Sequence, residues 1–425
     1  MPPSPSTHEG YASCDLDHID AAIVADAEGM AIGRFKHLTA RSAFQPILSL
    51  AHRRPVGYEG LLRAHAADGK PVPPLDAFRL AETEAETTFL DRLCRAVHLR
   101  NFLALPDDTS WLFMNINPKV IVDGRLHGSF FSELLRRCDF PAHRVVVEIV
   151  EEAIHDEALL AEAVSYYKEL GCLVAIDDFG AGHSNFDRIW RIEPHIVKLD
   201  RSVSVQAASS SRVRRVLPNL VNLIHEAGSL ALMEGIETEK EALIAMDADV
   251  DFVQGYFFAR PAERGLDGQR CDALFRGLCD KFKHYANDEA NDQRGRLASY
   301  LSGFRQALGQ VESGLAMEQA CAGFLGLPRT QCCYLLDEEG RQVGANLDSA
   351  HLTSRLDLRF LPLSDAKGAN WARRQYFRQA MNHPGRVQVS NPYLSIATSR
   401  MCVTLSVTVS AGNDLRVLCC DLDWS

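Results

Sequence analysis

No apolar run in this sequence is long enough to span a bilayer, and its first residues, Met1-Pro-Pro-Ser-Pro-Ser-Thr-His-Glu9, have neither the basic start nor the apolar core of a secretion signal. A membrane span and export are thereby set aside, and the expectation is a cytoplasmic protein. A surplus of positive charge is also missing. Against 56 Asp and Glu there are only 45 Lys and Arg, a net charge of −11 with a pI near 5.8. Such a surface does not suit DNA or RNA polymers, so a phosphate ligand should be small and held by a metal or a few placed cations. Cysteine spacing of the metal-binding kind is absent as well. Most of the 12 cysteines stand singly in apolar segments, as at Cys94, Cys172 and Cys321, and the pairs Cys332-Cys333 and Cys419-Cys420 lack the two-residue spacer of a zinc knuckle. They read as small buried hydrophobes. Finally, Gly180-Ala-Gly-His-Ser-Asn185 lacks the third glycine of a dinucleotide fingerprint, and the aspartates before it would repel a pyrophosphate. That counts against a nicotinamide enzyme.

What the sequence does contain is the length and composition of a two-part globular protein. Its 425 residues exceed a usual single domain, and 46% apolar with 24% charged residues is ordinary for a folded soluble chain. The most informative stretch is Leu173 to His183, an apolar run ending in Asp177 and Asp178 and then two glycines. That pattern is a buried strand whose C-terminal edge carries adjacent carboxylates, where α/β folds gather metal-binding and catalytic side chains. A helix cap would account for one aspartate but not for both.

Around this stretch the chain has a beat. Residues 43–50 and 55–63 form two apolar runs about a short basic turn, a strand hairpin. A helical period follows over 74–105, and then strands at 111–117, 144–151, 173–178, 196–200, 229–237 and 252–258 alternate with helices such as 157–170 and 213–227. So many strand–helix units imply a closed barrel. Near the C-terminal ends of these strands stand Glu59, Asn115, Glu148, Asp177, Asp178, Lys198, Glu234 and Gln254. Any one of them reads blandly, Glu234 or Glu148 as an edge residue, Lys198 as a surface lysine and Gln254 as a core amide. Together, in successive units, they converge on one mouth whose carboxylate and amide oxygens suit hard divalent cations. Two such ions serve phosphodiester hydrolysis, because they activate a water and stabilise charge on both the attacking and leaving oxygens.

At this point the residues resemble a known family. Glu59-Gly-Leu-Leu-Arg63 is similar to the Glu-Ala-Leu signature of the EAL-domain cyclic-di-GMP phosphodiesterases. The family's other blocks follow in order: Phe44-Gln-Pro-Ile47, Asn115-Ile-Asn117, Glu148-Ile-Val-Glu151, Asp177-Asp-Phe-Gly-Ala-Gly182, Val197-Lys-Leu-Asp200, Glu234-Gly-Ile-Glu237 and Gln254-Gly-Tyr-Phe-Phe258. The resemblance covers about residues 40–262. It implies a TIM-like (β/α)8 barrel of EAL type, two Mg²⁺ or Mn²⁺ ions, and hydrolysis of cyclic di-GMP to linear pGpG. It also implies roles for individual residues. Glu59, Asn115, Glu148, Asp177 and Asp178 look like metal ligands, with Glu234 and Gln254 completing the shell. Lys198 would position the attacking water, with Glu59 and Glu234 beside it as catalytic groups. Gln45, Leu62, Arg63, Gln254 and Pro261 would hold the substrate, and Glu237 would brace the loop after Asp178. Departures are Gly60 for the signature Ala, Asn117 for a usual Ser, and His183 and Asn185 where the family often has Tyr and Ser. No ligand is lost. A homodimer is expected, since that loop links site and dimer interface in the family.

Beyond Pro261 the beat stops. The expected division is an N-terminal extension over 1–39, the barrel over 40–265, a helical linker over 266–312, and a smaller α+β domain over 313–425. Segments 371–380 and 387–395 resemble PAS- or Cache-like sensory modules, implying a small-molecule or protein signal. The rival readings are a catalytically silent cyclic-di-GMP receptor that signals through a protein partner, and a scaffold with a vestigial barrel. Turnover separates the first from an enzyme, and dinucleotide binding separates the second.

Overall fold

The computed structural model describes residues 14–424 apart from 107, 117–129, 151–156, 183–185, 265–267, 351–365, 396–399 and 412–413. Asn117, Glu151, His183 and Asn185 therefore lie outside the described residues. The chain divides into two compact units, Met1–Ala286 and Asn287–Ser425. Among the described residues no helix is long and apolar enough to cross a membrane.

The first unit is built on strands β1 (Ile23–Ala25), β2 (Ala31–Phe35), β3 (Leu38–Ser49), β4 (Arg54–His65), β5 (Pro71–Val72), β6 (Trp111–Asn115), β7 (Val145–Val150), β8 (Leu173–Phe179), β9 (Ile196–Leu199), β10 (Leu230–Met233) and β11 (Phe252–Val253). The order β3-β11-β10-β9-β8-β7-β6-β4, closed by a β3–β4 pairing, makes an eight-stranded barrel. Within the barrel, β4 and β6 to β11 pair in parallel, but β3 is antiparallel to both β4 and β11. The barrel is therefore TIM-like with one reversed strand. The reason is the connection: only residues 50–53 join β3 to β4, far short of the dozen or so that a parallel crossover needs.

The described residues 14–39 are not a separate extension. Helix Leu16–Ala21 and strands β1 and β2 belong to this unit, and Ile19 and Phe35 are fully buried in its core. Side chains alternate along each strand, so two cores form. One fills the barrel with Ile47, Phe113, Val146, Ala175, Ile196, Leu232 and Phe252. The other lies between strands and helices, where Glu84–Leu103, started by a Thr83 cap on the Glu86 amide, buries Leu93 and Val97. Gly60 finds its explanation here. A Cβ at that position would lie 3.1 Å from Cγ of His98, which is buried and bonded to the Ser42 hydroxyl at 2.8 Å.

The second unit is an antiparallel sheet of β12 (Thr330–Leu336), β13 (Gln342–Asp348), β14 (Gln388–Val389), β15 (Tyr393–Leu394), β16 (Met401–Ala411) and β17 (Asp414–Asp423), ordered β13-β12-β17-β16-β14 with β15 beside β16. Helix Met317–Leu325 covers one face and Gln375–Asn382 the other. Alternation sorts the adjacent cysteines: Cys333 and Cys420 enter the first layer, with sulfurs 2.7 Å apart, while Cys332 and Cys419 enter the second. The expected linker is helix Gly268–Glu312, and it is not a free spacer. Phe275 and Leu278 are buried in the first unit's core, and Phe304 and Ala307 in the second's.

Candidate active site

The polar residues sit one layer above the barrel's apolar core because each stands two positions from an interior residue. The pairs are Phe113 and Asn115, Val146 and Glu148, Ala175 and Asp177, Ile196 and Lys198, Leu232 and Glu234, and Phe252 and Gln254. On the reversed β3 the same spacing runs backward, from Ile47 to Gln45, which pairs in register with Glu59. Gly57, two before Glu59, has no room for a side chain, since its Cβ would lie 2.6 Å from the Phe113 ring.

Lys198 occupies the centre, with only 1% of its side chain exposed. Its Nζ is 2.9 Å from Asp177 Oδ1 and 2.6 Å from Glu234 Oε1, and it also pairs with Glu148 Oε1. Burial works against the ammonium, but Asp177, Glu148 and Glu234 outweigh it and hold its pKa well above the ordinary lysine value. The acids respond in the opposite sense. Burial, only partly offset by Lys198, raises Glu148 well above the usual carboxylate range and takes Glu234 up to about 8. Glu59 is held by two amides, accepting from Asn115 Nδ2 at 2.8 Å and Gln254 Nε2 at 2.6 Å.

Asp177 and Asp178 are neighbours, and strict alternation would send them to opposite faces. A register shift between Ile176 and Phe179 breaks it, and Asp178 takes a left-handed backbone with φ of 58°. As a result, ligand oxygens of Asp177, Asp178 and Glu234 lie within 4.8 Å of one another. Burial and then the Asp177 charge raise the Asp178 pKa. These residues fit a hard divalent cation on two further grounds: every donor is oxygen, and Glu148 Oε2 and Gln254 Oε1 are buried with no hydrogen-bond partner.

The surrounding residues fall out unevenly. Gln45 Nε2 donates to the Ala259 carbonyl at 3.4 Å, and Phe44 bridges Ala262, which brings Pro261 alongside Gln45. Arg63 lies on the Glu59 face, further along β4, with its guanidinium on the Leu62 carbonyl at 3.0 Å. Leu62 is a correction. Three residues from Glu59, it points to the opposite face and is buried at 7% exposure in the core between strands and helices. Leu61, two from Glu59, shares the site's face instead. Counting parity from Glu59 would have found it. The Glu237 carboxylate accepts from Arg201 at 2.8 Å, at the start of helix Arg201–Ser209.

Comparison with known proteins agrees with this geometry. The EAL domain family matches residues 34–261, more than half of the chain. The chain belongs to the EAL-domain family. It is 26% identical over 399 residues to the uncharacterized EAL-domain containing protein YkuI of Bacillus subtilis, covering 90% of this chain and 94% of that one. It is 28% identical over 221 residues to the cyclic di-GMP phosphodiesterase RocR of Pseudomonas aeruginosa, covering 51% of this chain and 56% of RocR. The crystal structure of YkuI, solved with c-di-GMP and calcium, superposes with a TM-score of 0.75 at 24% identity, over 91% of this chain and 96% of that one. That likeness establishes the fold, and it extends past the barrel into the second unit.

Proposed function

We propose that the first unit of this EAL-domain protein hydrolyses cyclic di-GMP to linear pGpG with two Mg²⁺ or Mn²⁺ ions. The observation that carries this reading is the ring of oxygen donors about a buried, charged Lys198, with Glu148 Oε2 and Gln254 Oε1 left without partners. RocR, named a cyclic di-GMP phosphodiesterase, supports the substrate. Glu59, Asn115, Glu148, Asp177, Asp178, Glu234 and Gln254 would hold the ions. When bound, divalent ions supply Lewis-acid activation of water and stabilise phosphoryl oxygens. The chain's own residues do the rest. The Lys198 ammonium, held charged by Asp177, Glu148 and Glu234, would donate hydrogen bonds to the attacking water and a phosphoryl oxygen, and the acidic ring would exclude any polyanion not neutralised there. Gln45, Arg63 and Pro261 line the approach for the dinucleotide. In this reading the protein is cytoplasmic and homodimeric. The second unit's antiparallel sheet between two helical layers supports a PAS/Cache-like regulatory role.

The test is turnover. Purified protein with Mg²⁺ and cyclic di-GMP should release pGpG, and chelation should stop it; binding without product would make the protein a receptor. Leu62 gives a second, independent check. Since it packs beneath the site rather than in it, Leu62→Ala should cost about 2–5 kcal/mol of stability and leave KM for the dinucleotide unchanged. A raised KM at wild-type Tm would return Leu62 to the ligand.

A further inference from the structure

Two of the carboxylates at the barrel mouth are followed closely by a glycine that has no room for a side chain. Gly235, next to Glu234, takes a left-handed backbone with φ of 61°, and a Cβ there would lie 2.4 Å from Cβ of Arg201 and 2.5 Å from its Cγ. Gly180, two residues after Asp178, has φ of 101°, and its Cβ would lie 2.6 Å from Cγ2 of Val203. Arg201 and Val203 both belong to the first turn of helix Arg201–Ser209. One helical turn therefore packs on the backbone behind two different oxygen donors.

That turn is itself tied to the site. It opens directly after β9, which carries Lys198, and Asp200 caps it by accepting from the Ser202 amide at 2.8 Å. The Asp200 amide donates to the Phe179 carbonyl at 3.0 Å, and the Ser202 hydroxyl to the Gly180 carbonyl at 3.5 Å. On the other side, the Glu234 amide donates to the Leu199 carbonyl at 3.0 Å and the Ile236 amide to the Gln254 carbonyl at 3.1 Å. Arg201 also pairs with Glu237, but the two side chains are 55% and 39% exposed, and an ion pair so open to water contributes little. The contact that matters is the apolar stem of Arg201 on Gly235.

We infer that Arg201 and Val203 are positioning residues for the metal site, seating the backbones that carry Glu234 and Asp178. Because β9 lies between β8 and β10 in the barrel, the turn that follows it stands between those two backbones. By packing on both, it sets the spacing that brings oxygens of Asp177, Asp178 and Glu234 within 4.8 Å of one another. Neither residue needs to touch an ion. A group that holds a ligand in place from behind raises metal affinity, because a ligand left to move must be ordered when the ion binds. The inference rests on reading these carboxylates as metal ligands. Its test reads metal binding and not turnover, so its failure and that of the phosphodiesterase reading are distinguishable.

The full-length protein should be titrated calorimetrically with Mn²⁺. Arg201→Ala and Val203→Ala should each weaken binding about tenfold or more. Arg201→Met, which keeps the stem and loses the charge, should bind close to wild type. Val205→Ala, on the same helix and 43% exposed, should also bind like wild type, which separates the role from a general weakening of the helix. Arg201 is exposed, so its replacement leaves the core intact, and thermal unfolding in chelator shows that each variant is folded. Wild-type affinity in folded Arg201→Ala or Val203→Ala would remove that residue from the role, and a loss in Arg201→Met as large as in Arg201→Ala would overturn the part given to the stem. A wild-type protein that bound no Mn²⁺ would overturn both the metal reading and this inference. If it bound Mn²⁺ with these differences but released no pGpG, only the phosphodiesterase reading would fall.

Discussion

Glu59→Ala and Asp177→Ala should each lower kcat/KM by roughly three orders of magnitude or more, about 4 kcal/mol of transition-state stabilisation, while the barrel stays folded. Both carboxylates stand in the polar layer above the core, at 8% exposure each, so no apolar packing is lost with them. The two differ in what they leave behind. Without Glu59, the amides of Asn115 and Gln254 lose their shared acceptor, a penalty of about 1–3 kcal/mol for each group left unsatisfied. Without Asp177, Lys198 keeps Glu148 and Glu234. Glu59→Ala should therefore be the less stable of the two in metal-free buffer. Steady-state assays at saturating Mg²⁺, alongside thermal unfolding, check both statements. Near-wild-type activity in either variant would falsify that residue's place in the site.

Lys198→Ala should separate two roles of one side chain. Among the described residues, its ammonium is the cation paired with all three of Glu148, Asp177 and Glu234. Removing one partner of a buried ionic group costs about 3–5 kcal/mol. The variant should thus melt well below wild type in chelator, and Mg²⁺ should recover much of that loss, because cations can replace the missing charge. Activity should not recover with it. An interaction made mainly in the transition state lowers kcat and leaves KM almost unchanged. If the variant's defect lay entirely in KM, Lys198 would be a clamp on substrate phosphate, and wild-type stability in chelator would mean that the carboxylates do not depend on it.

The site was legible in the sequence to the extent that it obeys a period. Asn115, Glu148, Asp177, Lys198, Glu234 and Gln254 each close an apolar run, and a strand's two-residue repeat then lifts them together above the interior layer. The same rule corrects Leu62, which the resemblance assigns to the substrate but which an odd spacing from Glu59 turns to the other face. The pairing of Glu237 with Arg201 eluded sequence reasoning for a different reason: the two stand 36 positions apart, on different βα units, and no local pattern announces the pair.

By itself, then, the sequence determined the barrel, the ring of oxygen donors and the second α+β unit, because hydrophobic periodicity and strand ends are local and repeat in every unit. The tertiary structure alone decided three things: that residues 16–38 join the first unit, that a left-handed Asp178 brings two adjacent carboxylates to one place, and that the first turn of helix Arg201–Ser209 meets the glycines after both Asp178 and Glu234. Each depends on contacts between segments distant in the chain or on a single backbone angle, and neither leaves a mark on composition or spacing.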